Sequence, residues 1–283
     1  MPLQIHPTIL ILQTRNNPIV KPVPACYYQA GTLNSKNMRK TKISWTKVPW
    51  NVVTGCSKAS AGCDNCYAAD MARRLKGMGM KKYSNGFAPT CHPDCLDEPL
   101  TWKEPTLVFV PSMGDLFHPE IPEDFIEKVM ETIEKTPHHT YQILTKRPSR
   151  MAQFFTTHTI PDNAWLGTSV ENSAVLYRIE ILKAIETPRR FLSMEPLIGG
   201  LGNIEDVLED ISWVIVGGES GNRAREMKEA WVLDLMNQCD KLGIPFFFKQ
   251  WGTWKDGKKS SAKANGCLLQ GKEVQNFPKG MKP

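Results

Sequence analysis

The chain is 283 residues long, 41% hydrophobic and 23% charged, with a net charge of +6. That length and apolar content suffice for one large core, so no second domain is required. No apolar run of about 18 residues is available to span a bilayer, and the apolar start is too short and too poorly flanked for a signal peptide, so a cytoplasmic location without membrane contact is expected.

The charge is unevenly laid out. Residues 1–63 carry eight Lys or Arg and no acid, and residues 249–283 carry eight Lys and two acids, which leaves the middle acidic. Basic ends on an acidic body suit a polyanion partner, although charged termini are also common as solvated tails. Eight cysteines in such a chain favour metal ligation or redox chemistry over a disulfide framework.

Residues 1–37 are rich in Pro, Asn, Thr and Gln without a sustained period, and are expected to be a disordered N-terminal extension. A barrel domain is expected over residues 38–251, with a first strand near Ile43 to Trp45. Next comes GCSKASAGCDNCYAADMARRL, Gly55 to Leu75. Cys63 and Cys66 form a C-x2-C turn at the mouth of a helical pattern, and Cys56 approaches through a Gly/Ser/Ala loop. The three thiolates can converge beside a helix N-terminus, whose free N–H groups favour added negative charge.

Three is an informative number. A structural zinc site closes with four protein ligands, whereas an iron-sulfur cluster on three thiolates leaves one iron open. Zinc stays an alternative here, with a fourth ligand from Cys91, His92 or Cys95 in CHPDC, or from Cys267 or Cys239. Cys239 lies on an apolar helix and reads as core, and Cys26 in the leader reads as unpaired.

From Leu107 the chain alternates short apolar runs with amphipathic segments. Strands are predicted at 107–110, 141–144, 164–167, 190–193, 213–216 and 245–248, and helices from Pro122, Pro148, Asn172 and Glu226, the last ending at Gly243. The class is α/β, a partial parallel (β/α) barrel of six to seven units. Residues 252–283 read as a basic C-terminal tail with a small hairpin that turns at Gly271-Lys272.

In a parallel barrel the site is built from the loops that follow the strands. Those loops supply Ser112, Asp115 and His118, then Thr145, Lys146 and Arg147, then Ser169, Glu171 and Asn172, then Glu195, then Glu219 and Ser220, then Lys249, Gln250 and Trp251. Each taken singly also fits a helix cap or a structural ion pair; together they describe a polar, anion-capable pocket. Asp115, His118, Glu195 and Glu219 also allow a metal-assisted hydrolase, though they lack the spacing of a metal triad. Trp251 and Trp254 read either as a stacking platform for a base or as a plug, and His138 and His139 are expected to face solvent.

The strings TKISWTKVPWNVVTGCSKASAGCDNCYAADMARRL, VFVPSMGDLFHPEIP, YQILTKRP, WLGTSVEN, FLSMEPLIG, WVIVGGESG and PFFFKQWG, between Lys42 and Trp251, resemble an uncharacterised family frequent in phages and prophages. That family is marked by a three-cysteine motif and placed beside the radical S-adenosylmethionine (SAM) enzymes. The resemblance implies a [4Fe-4S] cluster on Cys56, Cys63 and Cys66, with SAM on the open iron and reductive cleavage to a 5′-deoxyadenosyl radical. The first cysteine gap, C-x6-C, is longer than the C-x3-C usual in those enzymes.

The same resemblance implies roles at the strand ends. Ser112, Asp115, Ser169 and Glu171 would bind the cofactor, Asp115 at the methionine ammonium, and Ser169 and Glu171 near the ribose hydroxyls or methionine carboxylate. Lys146 or Arg147 would meet the SAM carboxylate or a substrate phosphate. Glu195, Glu219 and Lys249 join them as catalytic candidates from their strand-end positions alone, since the GGE element at Gly217 to Glu219 follows a late strand and takes no role from the resemblance. The implied partners are an electron donor of flavodoxin or ferredoxin type and a nucleotide or nucleic-acid substrate. The competing reading is a zinc-stabilised barrel that binds nucleotide or nucleic acid without redox chemistry.

Overall fold

The computed structural model describes residues 41–281, so the expected extension at 1–37, with Cys26, lies outside the described residues. The elements in chain order are β1 Val48–Pro49, β2 Val53–Thr54, α1 Tyr67–Gly77, β3 Thr90–Cys91, β4 Leu107–Val110, α2 Glu123–Glu134, β5 Thr140–Thr145, α3 Pro148–Phe154, β6 Ala164–Ser169, α4 Tyr177–Lys183, β7 Arg190–Met194, α5 Glu205–Leu208, β8 Trp213–Gly217, α6 Glu229–Leu242 and β9 Phe246–Gln250. The C-terminal part adds β10 Trp254–Lys255, β11 Lys258–Lys259, α7 Ala262–Asn265, β12 Leu268–Leu269 and β13 Lys272–Glu273.

Seven strands form one sheet in the order β1-β4-β5-β6-β7-β8-β9. Every neighbouring pair is parallel. Sequential parallel order with no pairing between β1 and β9 among the described residues gives a curled half-barrel, as the alternation of apolar runs and helical segments implied.

The strands alternate between two faces. Val108, Val110, Val214, Val216, Phe246 and Phe248 pack outward against helix residues such as Ile126, Val129, Ile179 and Leu235. Leu107, Phe109, Phe191, Trp213, Ile215 and Phe247 point to the concave side, where Trp45 and Met281 join them. Trp45 sits 4.6 Å from Phe109 between ring centroids and 6.3 Å from both Phe191 and Trp213. An aromatic plug therefore fills the inside of the half-barrel.

The first strand differs from expectation. Ser44 and Trp45 lie in a turn, and the strand that joins the sheet is Val48–Pro49, paired with Val108 and Phe109. Proline hides this strand from a sequence pattern, yet an edge position tolerates the missing donor. Trp45 is buried inside the plug instead of lying along the edge. The expected hairpin forms as β12 and β13, with Gln270 (φ 49°) and Gly271 (φ 76°) at its turn. A second hairpin, β10 and β11, turns on Asp256 and Gly257 and was not anticipated.

Because the strands are parallel, their C-terminal ends share one rim. Gly55 reaches that rim by a bridge to Gly114, with its N–H 2.8 Å from the Met113 carbonyl. At φ 82°, and with a Cβ that would fall 2.1 Å from the Ala88 oxygen, position 55 admits only glycine. The chain thus delivers Cys56 beside the loop after β4, and the Cys56 N–H bonds the Phe87 carbonyl at 3.0 Å.

Candidate functional site

The loop from Cys56 to Cys66 lies across the rim, and side chains from four strand ends hold it in three clasps. Cys56 starts it, Cys63 closes a single 3-10 turn at Ala61–Cys63, and Cys66 is the N-cap of α1, so the third sulfur stands at a helix N-terminus. All three cysteines are half-buried. The buried Ala68, Ala72 and Leu75 face of α1 packs on Tyr83 and Met113 and anchors the end of the loop.

The first clasp comes from β4 and β5. Asp115, 4% exposed, accepts from Thr145 Oγ1 at 2.7 Å, Phe117 N at 3.0 Å, Lys146 N at 3.3 Å and Arg147 Nη1 at 2.9 Å. Arg147 Nη1 also donates to Cys56 Sγ at 3.3 Å, and its Nη2 donates to Ser57 O at 2.9 Å and Oγ at 3.1 Å. His118 Nδ1 accepts from Glu120 N at 3.2 Å, which assigns the proton to Nε2, 2.7 Å from Ser57 Oγ. Burial, then the neighbouring Arg147 charge, pull the His118 pKa down. Burial pushes the Cys56 thiol up to about 11, Asp115 and Cys63 add to the push, and Arg147 opposes it.

The second clasp comes from β6. Glu171 is fully buried; its Oε1 accepts from Gly62 N at 3.1 Å and its Oε2 from Arg178 Nη1 at 3.0 Å. Arg178 lies on α4, is 1% exposed, and also donates to the Ser169 carbonyl at 2.9 Å. A Cβ at position 62 would lie 2.9 Å from Glu171 Cδ, so this close approach needs glycine.

The third clasp comes from β8. Glu219 accepts from Arg225 N at 2.8 Å, Nε at 2.9 Å and Nη2 at 2.6 Å, and from Asn65 Nδ2 at 3.1 Å. Arg225 Nη2 also reaches the Ala61 carbonyl at 2.9 Å, and Asn65 reaches the Arg223 carbonyl at 2.9 Å. Burial alone would raise the Glu219 carboxyl, but the Arg225 and Asn65 hydrogen bonds outweigh it and hold the pKa low.

The other candidates fall elsewhere on the rim. Ser112 donates from N (2.8 Å) and Oγ (3.1 Å) to Asn51 Oδ1, and its carbonyl accepts from Tyr67 OH at 2.6 Å. Lys249 Nζ pairs with Glu195 Oε1 at 3.0 Å, while Glu195 Oε2 accepts from Trp45 Nε1 and Ser193 Oγ, each at 3.3 Å. Lys146 is half-buried, and its ammonium has no partner among the described residues. Asn172 caps the short turn that follows it, through Ala174 N at 3.0 Å.

Several expectations change. Trp251 is a plug: it is buried, packs 4.9 Å from Phe248 and donates to the Leu268 carbonyl at 2.9 Å. Trp254 donates to the Ala224 carbonyl at 2.6 Å and pins the β10–β11 hairpin to the loop after β8. His138 is exposed as expected, but His139 is buried, 5.7 Å from the Trp102 ring. Asp115, His118, Glu195 and Glu219 do not come together as a metal-ligand group among the described residues: Asp115 and His118 share the network of Arg147 and Ser57, and Glu195 and Glu219 each belong to another.

The arrangement uses residues that strand-end reasoning did not select: Ser57, Gly62, Asn65, Arg178 and Arg225. For Arg178 a signal existed. Val175, Arg178, Leu182 and Ile185 share one buried stripe, and an arginine in an apolar stripe announces a buried anion. Arg225 sits in a loop without periodicity and gives no such sign.

Among solved structures, spore photoproduct lyase in complex with dinucleoside spore photoproduct is similar to 72% of this chain at 13% identity, with a TM-score of 0.45. A doubly substituted variant of that lyase with bound AdoMet and the same dinucleoside gives a TM-score of 0.46 at 13% identity over 72% of this chain. The chain spans 64% of the length of either. No curated protein matches the sequence. Residues 40–278 match the family model described as "Protein of unknown function (DUF5131)".

Proposed function

The chain belongs to the DUF5131 family of proteins of unknown function, and from that premise we propose that it is a radical SAM-type enzyme whose Cys56, Cys63 and Cys66 hold a [4Fe-4S] cluster. The observation that carries this reading is the loop itself: three half-buried sulfurs on one segment, held by three clasps at the strand-end rim of a parallel half-barrel. Bound there, such a cluster with SAM on its open iron supplies one-electron cleavage of the sulfonium and hydrogen abstraction from a substrate.

The donor set fits that group. Three soft thiolates on one segment at the rim are the donors that an iron-sulfur cluster takes. Of the remaining described cysteines, Cys95 Sγ accepts from Lys82 Nζ at 3.0 Å, Cys91 is in the β3 ladder, Cys239 is fully buried, and Cys267 is half-buried next to β12.

The chain's own groups divide the work. Glu171 and Glu219 orient the loop, since their oxygens are engaged by Gly62, Arg178, Asn65 and Arg225. Lys146 is the cation left to meet a carboxylate or phosphate, beside Ser112, whose hydroxyl bonds Asn51, whereas Ser169 is buried. At the ends of β9 and β7, the Lys249–Glu195 ion pair offers both charges to a polar substrate. An anionic nucleotide or nucleic-acid substrate suits these lysines, and a flavodoxin or ferredoxin type protein would supply the electron.

The test is the visible spectrum and metal content of protein purified without oxygen. Near four irons per chain, bleaching with dithionite and release of 5′-deoxyadenosine on adding SAM are expected. A colourless protein with one zinc, whose cysteine variants unfold, would replace this reading with the zinc-stabilised binding barrel.

A further inference from the structure

Arg147 is a candidate to grip a ligand carboxylate or phosphate, yet its side chain is committed to Asp115 and to Cys56 and its neighbour Ser57. Nη1 bridges Asp115 Oδ2 and Cys56 Sγ, and Nη2 takes both oxygens of Ser57. Its own N–H bonds Thr145 Oγ1 at 2.9 Å, and the same hydroxyl donates to Asp115. The Arg147 and Asp115 side chains are 15% and 6% exposed. Swinging Arg147 toward a ligand would strand a buried carboxylate, so the guanidinium is locked in place.

The contact is asymmetric. Among the described residues Cys56 alone of the three receives a side-chain N–H donor, since no such partner approaches the Cys63 or Cys66 sulfur. Charged hydrogen bonds to ligand sulfurs orient them and draw electron density from the metal. Resting on the cluster reading above, we propose that Arg147 is a positioning residue for Cys56: it fixes the first sulfur on the rim and raises the reduction potential of the cluster bound there. It does not contact SAM or substrate.

Arg147→Met and Arg147→Lys separate the parts of this role, because lysine keeps the charge beside Asp115 but cannot bridge two acceptors. The metal-free readout is amide hydrogen exchange of the apo protein. Arg147→Met should speed exchange in the Cys56 to Ser60 peptide by roughly tenfold or more, the scale of lost hydrogen bonds to a charged group, and leave Tyr67 to Gly77 unchanged. Unchanged or uniformly faster exchange would overturn the positioning role, whether or not the protein binds iron.

The second readout is the potential of the reconstituted cluster, titrated by electron paramagnetic resonance. A shift to more negative values in Arg147→Met, partly restored in Arg147→Lys, is expected. An unchanged potential with a large rise in the KM for SAM would return Arg147 to ligand binding. Wild-type protein that takes up no iron would sink the cluster reading and the potential effect together, while hydrogen exchange would still decide whether Arg147 holds Cys56.

Discussion

Residues 56–66 and residues 91–95 both carry closely spaced cysteines, and the fold treats them in opposite ways. In the first segment the backbone and the flanking side chains are held by Arg147, Glu171 and Arg225, and all three sulfurs are half-buried at the strand-end rim. In the second, Cys91 lies in the β2–β3 ladder, Cys95 is buried with its sulfur on Lys82, and the Cys95 carbonyl accepts from Trp50 Nε1 at 2.8 Å. Cysteine spacing alone therefore does not distinguish a metal site from a packing element. What differs between the two segments is position on the rim and the charged residues committed to the loop.

The sharpest way to break that contrast is by cysteine replacement. Cys56→Ala, Cys63→Ala and Cys66→Ala should each abolish SAM cleavage and remove most of the iron, whereas Cys91→Ala and Cys95→Ala should retain both. Iron analysis of anaerobically reconstituted protein decides it. Equal iron loss in Cys95→Ala would mean that the two segments share one metal.

Next in size is the buried clasp. Arg178→Met leaves the Glu171 carboxylate buried without its cation, and should cost about 3–5 kcal/mol in chemical denaturation. Replacing both, as Glu171→Leu with Arg178→Met, should cost less than Arg178→Met alone, because no charge is stranded. A double variant as unstable as the single one would show that the ion pair itself, and not the stranded charge, sets the cost. Gly62→Ala tests the same contact from the loop side: its Cβ would come within 2.9 Å of Glu171 Cδ, and overpacking of that kind costs about 1–3 kcal/mol. The loss should come with reduced iron binding, since the loop must lift from the rim.

These variants also mark how far the sequence could be read. The parallel half-barrel was legible because strands buried on both faces are continuous apolar runs, and helices between them carry a clear stripe. The edge strand at Val48–Pro49 was not, because two residues with a proline show no period. The three cysteines and the strand-end set were legible for a topological reason, that parallel strands gather their C-terminal ends. The partners of that set were not. Glu171 and Glu219 read as ligand-facing acids, and only three-dimensional contact shows that Gly62, Arg178, Asn65 and Arg225 take up their oxygens. Such pairings join residues far apart in the chain, Asn65 with Glu219 for example, and no local pattern encodes them.

The smallest expected effect concerns the second segment and acid. His92 Nε2 lies 2.7 Å from Thr54 Oγ1, and burial, then the nearby Lys82 charge, lower its pKa to about 4 against the opposing pull of Asp94. Between its ordinary value and about 4, the unfolded chain binds a proton at this position that the folded protein refuses. Stability contributed by neutral His92 is therefore present above about pH 6.5 and lost as pH falls toward 4. One such group changes stability by less than about 1 kcal/mol between pH 7 and pH 6, with a limiting slope of about 1.4 kcal/mol per pH unit below that. His92→Gln should flatten the acid limb of the denaturation profile by up to that slope, leaving the smaller contributions of His118 and His139, whose pKa values burial also lowers. A variant profile parallel to wild type would mean that residues 91–95 open before the imidazole charges, and the packed, inert character assigned to this segment would fail.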